Sequence, residues 1–134
     1  MKKKQFNYRT IKTYEHACGK IGIDPIILPD VSQLDPGMGK TLIAIYKLMV
    51  IFKAINDGWE PNWNNSSEYK YFPWFSINSD SARPSGFGFS FTFCGGWFSL
   101  TNCGSRLCTN SRDKALYIAN TFEAEYIDFI LISQ

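Results

Sequence analysis

The hydrophobic pattern predicts helices at both ends of the chain. Thr13 can cap a short helix over residues 14–21, which Gly22 would close. A longer helix is predicted to begin at Asp35-Pro36, where the carboxylate caps the helix and the proline needs no hydrogen-bond partner. Its apolar residues recur at three- and four-residue spacing and cover a wide arc, so this helix is expected to be buried on more than one side.

The ends of the two long helices are marked by the residues around them. Asn56-Asp57-Gly58 is predicted to end the first one. Ser111 can cap the last one, which is predicted to run without a break from Arg112 to about Ile132. An apolar stripe along this segment predicts one face packed on a core.

The middle of the chain has a strand-like pattern. Residues 59–98 contain 13 of the 22 aromatic residues and all four tryptophans. Tyr69 to Ile77 is interpreted as a strand that Pro73 makes an edge or bulged one, and phenylalanines alternate with small residues from Phe87 to Cys94. Gly95-Gly96 predicts a hairpin turn to a strand over residues 97–102, and residues 104–108 are a candidate fourth strand.

These elements predict an α+β fold. The expected architecture is a small antiparallel sheet of three to four strands packed against two long helices, with a short N-terminal helix. The predicted organisation is a basic flexible arm, residues 1–12, followed by a single α+β domain, residues 13–134.

The charge distribution separates the arm from the rest of the chain. Five of the 14 basic residues and none of the 12 acidic ones lie in residues 1–12, so the arm carries +5 and the remaining chain −3. We consider two interpretations, a solubilising start and a binding segment that contacts RNA. The arm residues are Lys2, Lys3, Lys4, Arg9 and Lys12.

The sequence predicts a cytoplasmic protein that does not cross a membrane. No apolar stretch follows the first lysines, as a secretory signal would require, and no apolar run approaches the length of a membrane span. Four cysteines are then expected to stay reduced. The alternative is a zinc site, but the cysteine spacing differs from known zinc motifs, so no metal or cofactor is predicted. Its ligands would be Cys94, Cys103, Cys108 and either Cys18 or His16.

No catalytic residues are predicted. Gly37-Met38-Gly39-Lys40-Thr41 resembles part of a phosphate-binding loop, but Leu34 stands where its first glycine belongs. No nucleophile, base and orienting group can be assembled from the sequence, which favours a non-enzymatic protein.

A candidate anion or partner site lies at the start of the last helix. Arg106 and Arg112, with Ser105 and Ser111, could hold a phosphate or carboxylate beside unpaired amide donors of the helix. The alternative is an ordinary helix cap with solvated arginines. A hydrolase or transferase that uses the loop 104–112 is a further, weaker hypothesis.

Four aromatic residues form a second candidate site. Trp59, Trp63, Tyr71 and Trp74 could make an exposed patch for a protein partner, because tryptophan and tyrosine dominate protein interfaces. Base stacking on single-stranded RNA is the alternative, although the phenylalanine-rich strand lacks the interleaved lysines and arginines of RNA-binding sheets.

Three segments resemble a group of small proteins encoded by phages and prophages. The chain shows Gly58-Trp59-Glu60-Pro61-Asn62-Trp63, then Tyr69-Lys70-Tyr71-Phe72-Pro73-Trp74-Phe75, then Gly104-Ser105-Arg106-Leu107-Cys108. A final segment over residues 122–129 is similar as well, so the resemblance covers roughly residues 13–132. It implies a phage origin but no particular activity.

The expected function is stoichiometric binding in the host cytoplasm. The resemblance and the lack of a catalytic set favour an accessory protein that binds a host protein or ribonucleoprotein, such as an anti-CRISPR inhibitor of an RNA-guided nuclease. The alternative is a single-stranded RNA-binding protein that uses the arm and exposed aromatics. The sequence leaves the oligomeric state open.

Overall fold

The computed structural model describes residues 4–79, 87–94, 99 and 101–132, with the backbone alone for 76–79 and 87–94. It contains four α-helices and one pair of strands in these residues. The helices are α1, Tyr14–Ile21; α2, Pro36–Asn56; α3, Arg112–Thr121; and α4, Glu123–Ile130. The strands are β1, Pro73–Ser79, and β2, Phe87–Cys94.

The first two helices begin and end as predicted. The Thr13 side chain accepts a hydrogen bond from the His16 N–H, and Gly22 adopts the left-handed conformation that closes α1. The Asp35 carboxylate accepts from the Met38 N–H at 3.1 Å, which caps α2. α2 is the central element, because both α1 and α4 pack mainly against it.

The core is built around α2. Leu48, Ile51, Phe52 and Ile55 on α2 are completely buried. The buried residues that join them from other elements include Ile11, Ala17, Cys18, Leu107, Ile118, Phe122 and Tyr126. Burial on this scale explains the wide apolar arc of α2, since helical neighbours cover it from more than one direction.

The predicted fold class is wrong. The described residues hold a mostly helical protein with one two-stranded antiparallel ladder, rather than a sheet of three to four strands on two long helices. In that ladder Pro73 pairs with Cys94 and Ser79 with Phe87, and the register shifts between Trp74 and Phe75. The predicted turn at residues 95–96, and most of the strand after it, lie outside the described residues.

Local hydrogen bonds explain why no strand forms at residues 101–108. The Thr101 hydroxyl accepts from the N–H groups of Cys103 and Gly104, which makes a tight turn. Gly104 has a positive φ of 74°, and a 3-10 helix follows over Ser105–Leu107. This turn buries Leu107 in the core, and a strand would not place that side chain there.

The predicted last helix is broken in two. Ser111 caps α3 as predicted, but α3 ends at Thr121 and α4 begins at Glu123. Phe122, with ψ near 36°, stands between them and is almost completely buried. The break turns α4 onto α2, where the Thr41 hydroxyl donates to the Asp128 carbonyl at 3.0 Å.

Residues 4–12 lie against the helices. Ile11 is buried, and the Tyr117 hydroxyl on α3 donates to the Ile11 carbonyl at 2.7 Å. The Tyr8 ring meets the Tyr117 ring edge-on at 5.4 Å. The arm boundary predicted at residue 12 therefore does not coincide with a break in packing. No helix within the described part of the chain is long and apolar enough to cross a membrane.

Candidate functional site

Most of the exposed large apolar residues in the described part of the chain lie in the connection between α1 and α2 and on the first turns of α2. Six of the nine exposed large apolar residues in the described part of the chain fall within residues 26–42. Ile26 is 85 % exposed, Ile27 66 % and Met38 69 %. We call this set the 26–42 surface; its members are Ile26, Ile27, Leu28, Leu34, Met38 and Leu42. An apolar concentration of this kind marks an interaction site more often than scattered single residues do.

The loop that carries Ile26, Ile27, Leu28 and Leu34 of the 26–42 surface is held by hydrogen bonds within the loop itself. The Asp24 carboxylate accepts from the Ile26 N–H at 3.0 Å, and the Asp24 carbonyl accepts from the Ile27 N–H at 3.2 Å. Further along, the Leu34 N–H donates to the Val31 carbonyl at 3.0 Å. These turns hold the apolar side chains outward without help from a partner.

A glycine lets this loop lie directly on α2. Gly39 is buried, and a Cβ atom added there would stand 3.0 Å from both Cβ and Cγ2 of Val31. Such a separation is tighter than ordinary van der Waals contact. A side chain at residue 39 would therefore require Val31 to move by a few tenths of an ångström, and glycine allows the loop its present close approach to α2.

The Gly37–Thr41 segment has a structural role. It forms the first turns of α2 rather than a phosphate-binding loop. The Lys40 ammonium lies 3.4 Å from an Asp128 carboxylate oxygen on α4. Together with the Thr41 hydroxyl, this pair connects the start of α2 to α4.

The four predicted aromatic residues do not form one exposed patch. Trp74 is exposed, whereas Trp59, Trp63 and Tyr71 are half-buried. Trp63 donates from Nε1 to the Ser105 Oγ at 2.7 Å. Tyr71 forms a two-hydrogen-bond bridge with Thr109, both bonds 2.8 Å long. Two of the aromatic residues therefore tie residues 59–71 to residues 105–109.

A buried lysine organises the segment around Trp63. Lys70 is 1 % exposed, and its ammonium donates to the Asn65 carbonyl at 3.0 Å and lies 3.5 Å from a Glu68 carboxylate oxygen. The same ammonium stands 5.2 Å from the centre of the Trp63 ring. The Glu68 carboxylate also accepts from the Asn62 N–H at 2.8 Å. Sequence reasoning missed this role, since a lone lysine among aromatics gives no signal of burial.

The four residues of the predicted anion site have different surroundings and partners and do not form one site. Arg106 is exposed and lines an open groove of about 890 Å³, together with Lys53 and Trp59. Arg112 is exposed on α3 and is not among the residues that line this groove. The Ser105 hydroxyl accepts from Trp63, and the Ser111 hydroxyl accepts from the Lys114 N–H as the α3 cap.

The groove is only weakly basic. Lys20 lines it but forms a 2.7 Å ion pair with Asp57, which lines it too. Lys53 and Arg106 carry positive charge there, opposed by the exposed Glu60. With charges of both signs on its rim, the groove lacks the concentrated charge of an anion site.

The described arm residues have separate surroundings. Lys4, Arg9 and Lys12 are exposed, and Lys2 and Lys3 lie outside the described residues. The Arg9 guanidinium stands 5.4 Å from the centre of the Tyr8 ring, and the Lys114 ammonium stands 5.9 Å from the same point. Burial lowers the pKa of Lys114.

The thiols of residues 103–108 are poor nucleophiles. Burial raises the pKa of the Cys103 thiol, and burial together with the neighbouring Cys103 raises the pKa of the Cys108 thiol to about 12. A thiol is reactive as the thiolate, so Cys108 is protonated and inert at neutral pH. The hydrolase or transferase hypothesis for the loop 104–112 therefore lacks an activated cysteine.

The described candidate zinc ligands do not converge on one point: Cys103 and Cys108 are neighbours, but His16 and Cys18 lie on α1. Cys18 is buried between helices, and the His16 Nδ1 accepts from the Lys12 N–H at 3.2 Å. The side chain of Cys94 lies outside the described residues. Among the side chains that are described, no three histidine, cysteine, aspartate or glutamate residues cluster closely enough to hold a metal ion.

No protein-family model, curated protein or solved structure matches this chain. The argument about function therefore depends on the surfaces of the molecule itself. Sequence reasoning missed the 26–42 surface, although Ile26-Ile27-Leu28 between two prolines was a visible signal: three consecutive apolar residues in a connection that is too irregular to bury them.

Proposed function

We propose that this protein acts by stoichiometric binding to another protein, and that the 26–42 surface makes the contact. The observation that carries the proposal is the exposure of Ile26 and Ile27 on a loop held in place by its own hydrogen bonds, with Met38 exposed on the first turn of α2 that follows it. A pre-organised apolar surface favours binding, because little conformational entropy is lost when a partner covers it.

The charge of the loop favours protein over nucleic acid or an anionic membrane. Asp24, Asp30 and Asp35 are exposed on it, and phosphate groups would be repelled by these carboxylates. Surfaces that bind anionic lipids carry lysine and arginine beside their apolar residues. The one lysine between residues 24 and 42 is Lys40, which is engaged with Asp128.

The phage resemblance supports a specific setting for this binding. We propose that the target is a host protein or ribonucleoprotein in the cytoplasm, and that binding blocks a defence system such as an RNA-guided nuclease. The protein then acts as a non-enzymatic accessory protein that occupies its target without altering it covalently.

The test compares two variants that replace exposed isoleucines by aspartate. Ile26→Asp/Ile27→Asp places charge in the 26–42 surface, and Ile132→Asp places it at a residue that is 93 % exposed elsewhere. Each variant is expressed in host cells that carry one defence system at a time, and phage plaques are counted. We expect the wild type and Ile132→Asp to protect phage and the double variant to lose at least tenfold in protection.

Matched thermal unfolding of the three proteins shows whether the double variant folds. Because both isoleucines are exposed, its melting temperature is expected to stay within a few degrees of the wild type. Equal protection by a folded double variant would contradict the proposed surface. Failure of the wild type against every defence system would contradict the anti-defence role.

A second candidate is RNA binding through the residues around Tyr8. Arg9 and Lys114 both approach the ring of Tyr8, and Lys4 and Lys12 are exposed on the same N-terminal segment. This function predicts a steep loss of oligonucleotide affinity with rising salt. It also predicts that Arg9→Ala/Lys12→Ala weakens that affinity while Ile26→Asp/Ile27→Asp does not.

A further inference from the structure

Three carboxylates border the exposed apolar side chains of the 26–42 surface. Asp24 precedes Ile26, Asp30 follows Leu28, and Asp35 lies between Leu34 and Met38. Each carboxylate uses one oxygen to hold the backbone, at 3.0 Å to the Ile26 N–H, 3.0 Å to the Ser32 N–H and 3.1 Å to the Met38 N–H. All three residues are exposed, so a partner that covers the apolar side chains would meet these charges.

The charge of these carboxylates is not balanced by an ion pair within the described part of the chain. Hydrogen bonds from Ser32 lower the pKa of Asp30 below its ordinary value, which favours the charged form. Lys40, the one base of the stretch, is directed to Asp128 on α4.

We infer that the partner of the 26–42 surface presents an apolar patch bordered by lysine or arginine side chains. The inference rests on the proposed function, which assigns protein binding to this surface. Its basis is charge complementarity, because an acidic partner would face three like charges across the interface and a basic one would gain from them. The hydrogen-bonded turns set the spacing between the carboxylates and the isoleucines, so the partner's basic residues are expected to match it.

A random-peptide display library tests this chemistry without knowledge of the natural target. The library is selected on the full-length wild-type protein, and each enriched peptide is measured again on Ile26→Asp/Ile27→Asp. Peptides that lose binding there use the 26–42 surface. We expect such peptides to combine apolar residues with an excess of lysine and arginine over the unselected library.

Isosteric variants isolate the charge. Asp24→Asn and Asp30→Asn keep an oxygen that can accept the same backbone hydrogen bonds, and Glu15→Gln and Asp113→Asn are matched controls at exposed residues on α1 and α3. Each loop substitution is expected to weaken peptide binding about two- to fivefold at low salt, and much less at about 0.5 M NaCl. The controls are expected to leave the affinity unchanged.

The outcomes distinguish the inference from the proposed function. If enriched peptides depend on the isoleucines but are neutral or acidic, the inference is wrong and the binding surface stands. If none of the enriched peptides depends on the isoleucines, both fail. If sedimentation shows that the wild type self-associates through Ile26 and Ile27, the surface is an interface between copies, and the inferred basic partner is overturned.

Discussion

Trp63 donates a 2.7 Å hydrogen bond from its indole nitrogen to the Ser105 hydroxyl, 42 residues further along the chain. Ser105 opens the 3-10 helix that carries Leu107 into the core. The bond thus joins the aromatic segment around Trp63 to the turn that replaces the expected fourth strand. Residues that the sequence placed in two separate candidate sites are in fact partners of each other.

The strength of this bond can be measured with a double-mutant cycle. We expect Trp63→Phe and Ser105→Ala each to lower the free energy of unfolding, with a coupling of about 0.5–1.5 kcal/mol between them. Urea unfolding of the wild type, both single variants and the double variant supplies the four values. Additive losses would show that the bond contributes nothing to stability.

Lys70 is expected to be important for folding. Lys70→Met keeps most of the buried stem but leaves the Asn65 carbonyl without its donor and Glu68 without its cation, at a cost of about 1–3 kcal/mol. The matched control is Lys53→Met, because Lys53 is exposed and has no ion pair among the described residues. Chemical unfolding of both variants is the measurement, and equal stabilities would contradict the structural role of Lys70.

Alkaline pH should reveal the burial of the Cys108 thiol. Its pKa is raised from 9.0 to about 12, so the folded protein holds this proton more tightly than the unfolded chain does. The stabilisation from the protonated thiol is fully present below about pH 9 and is lost as the pH rises towards 12. By about pH 10.5 the free energy of unfolding has fallen by about 1–2 kcal/mol on this account.

Cys108→Ala checks this pH dependence. The variant loses a buried side chain and is expected to be less stable at every pH, so the comparison is between slopes. Urea unfolding at several pH values should show a shallower alkaline decline for Cys108→Ala than for the wild type. Some decline remains, because burial also raises the pKa of Tyr126. Parallel curves would show that the thiol does not contribute.

Gly39 and Gly19 are expected to respond in opposite ways to the same substitution. Replacement of a helical glycine by alanine normally raises the free energy of unfolding by about 0.5–1 kcal/mol. At Gly19 no atom lies within 4 Å of the added Cβ, so Gly19→Ala is expected to stabilise. At Gly39 the Cβ meets Val31 at 3.0 Å, so the gain is expected to vanish or reverse.

A second substitution identifies the cause at Gly39. Val31→Ala removes one of the two atoms that the new Cβ would meet, Cγ2, and leaves the Val31 Cβ in place; Gly39→Ala/Val31→Ala is therefore expected to be somewhat more stable than the sum of the two single effects predicts. Thermal unfolding of the wild type, the two single variants and the double variant measures this coupling. If Gly39→Ala stabilises by as much as Gly19→Ala, the close approach of loop and helix is not a constraint.

Helix boundaries were predictable because their determinants are local. Thr13, Asp35 and Ser111 all accept a backbone hydrogen bond as helix caps, and a cap depends on a few neighbouring residues. The break at Phe122 was not predicted, since it depends on the burial of that ring against distant elements. Period-two alternation correctly predicted a strand over residues 87–94, but it could not show how many strands join it.

The candidate sites were harder to predict because exposure depends on the whole fold. Trp59 and Trp63 looked suited to an interface, yet packing leaves them half-buried in contact with their own chain. Ile26 and Ile27 lie in a segment without periodicity, where local rules predict only an irregular connection. Their exposure of 85 % and 66 % could be established only from the folded structure, in which no other described element covers them.

The contact between Val31 and Gly39 also bears on kinetics. Because the loop already lies on α2 in the free protein, we expect association without a slow ordering step, so that it follows a single exponential whose rate grows linearly with partner concentration. Stopped-flow rates that saturate at high partner concentration would reveal a rearrangement and contradict this expectation.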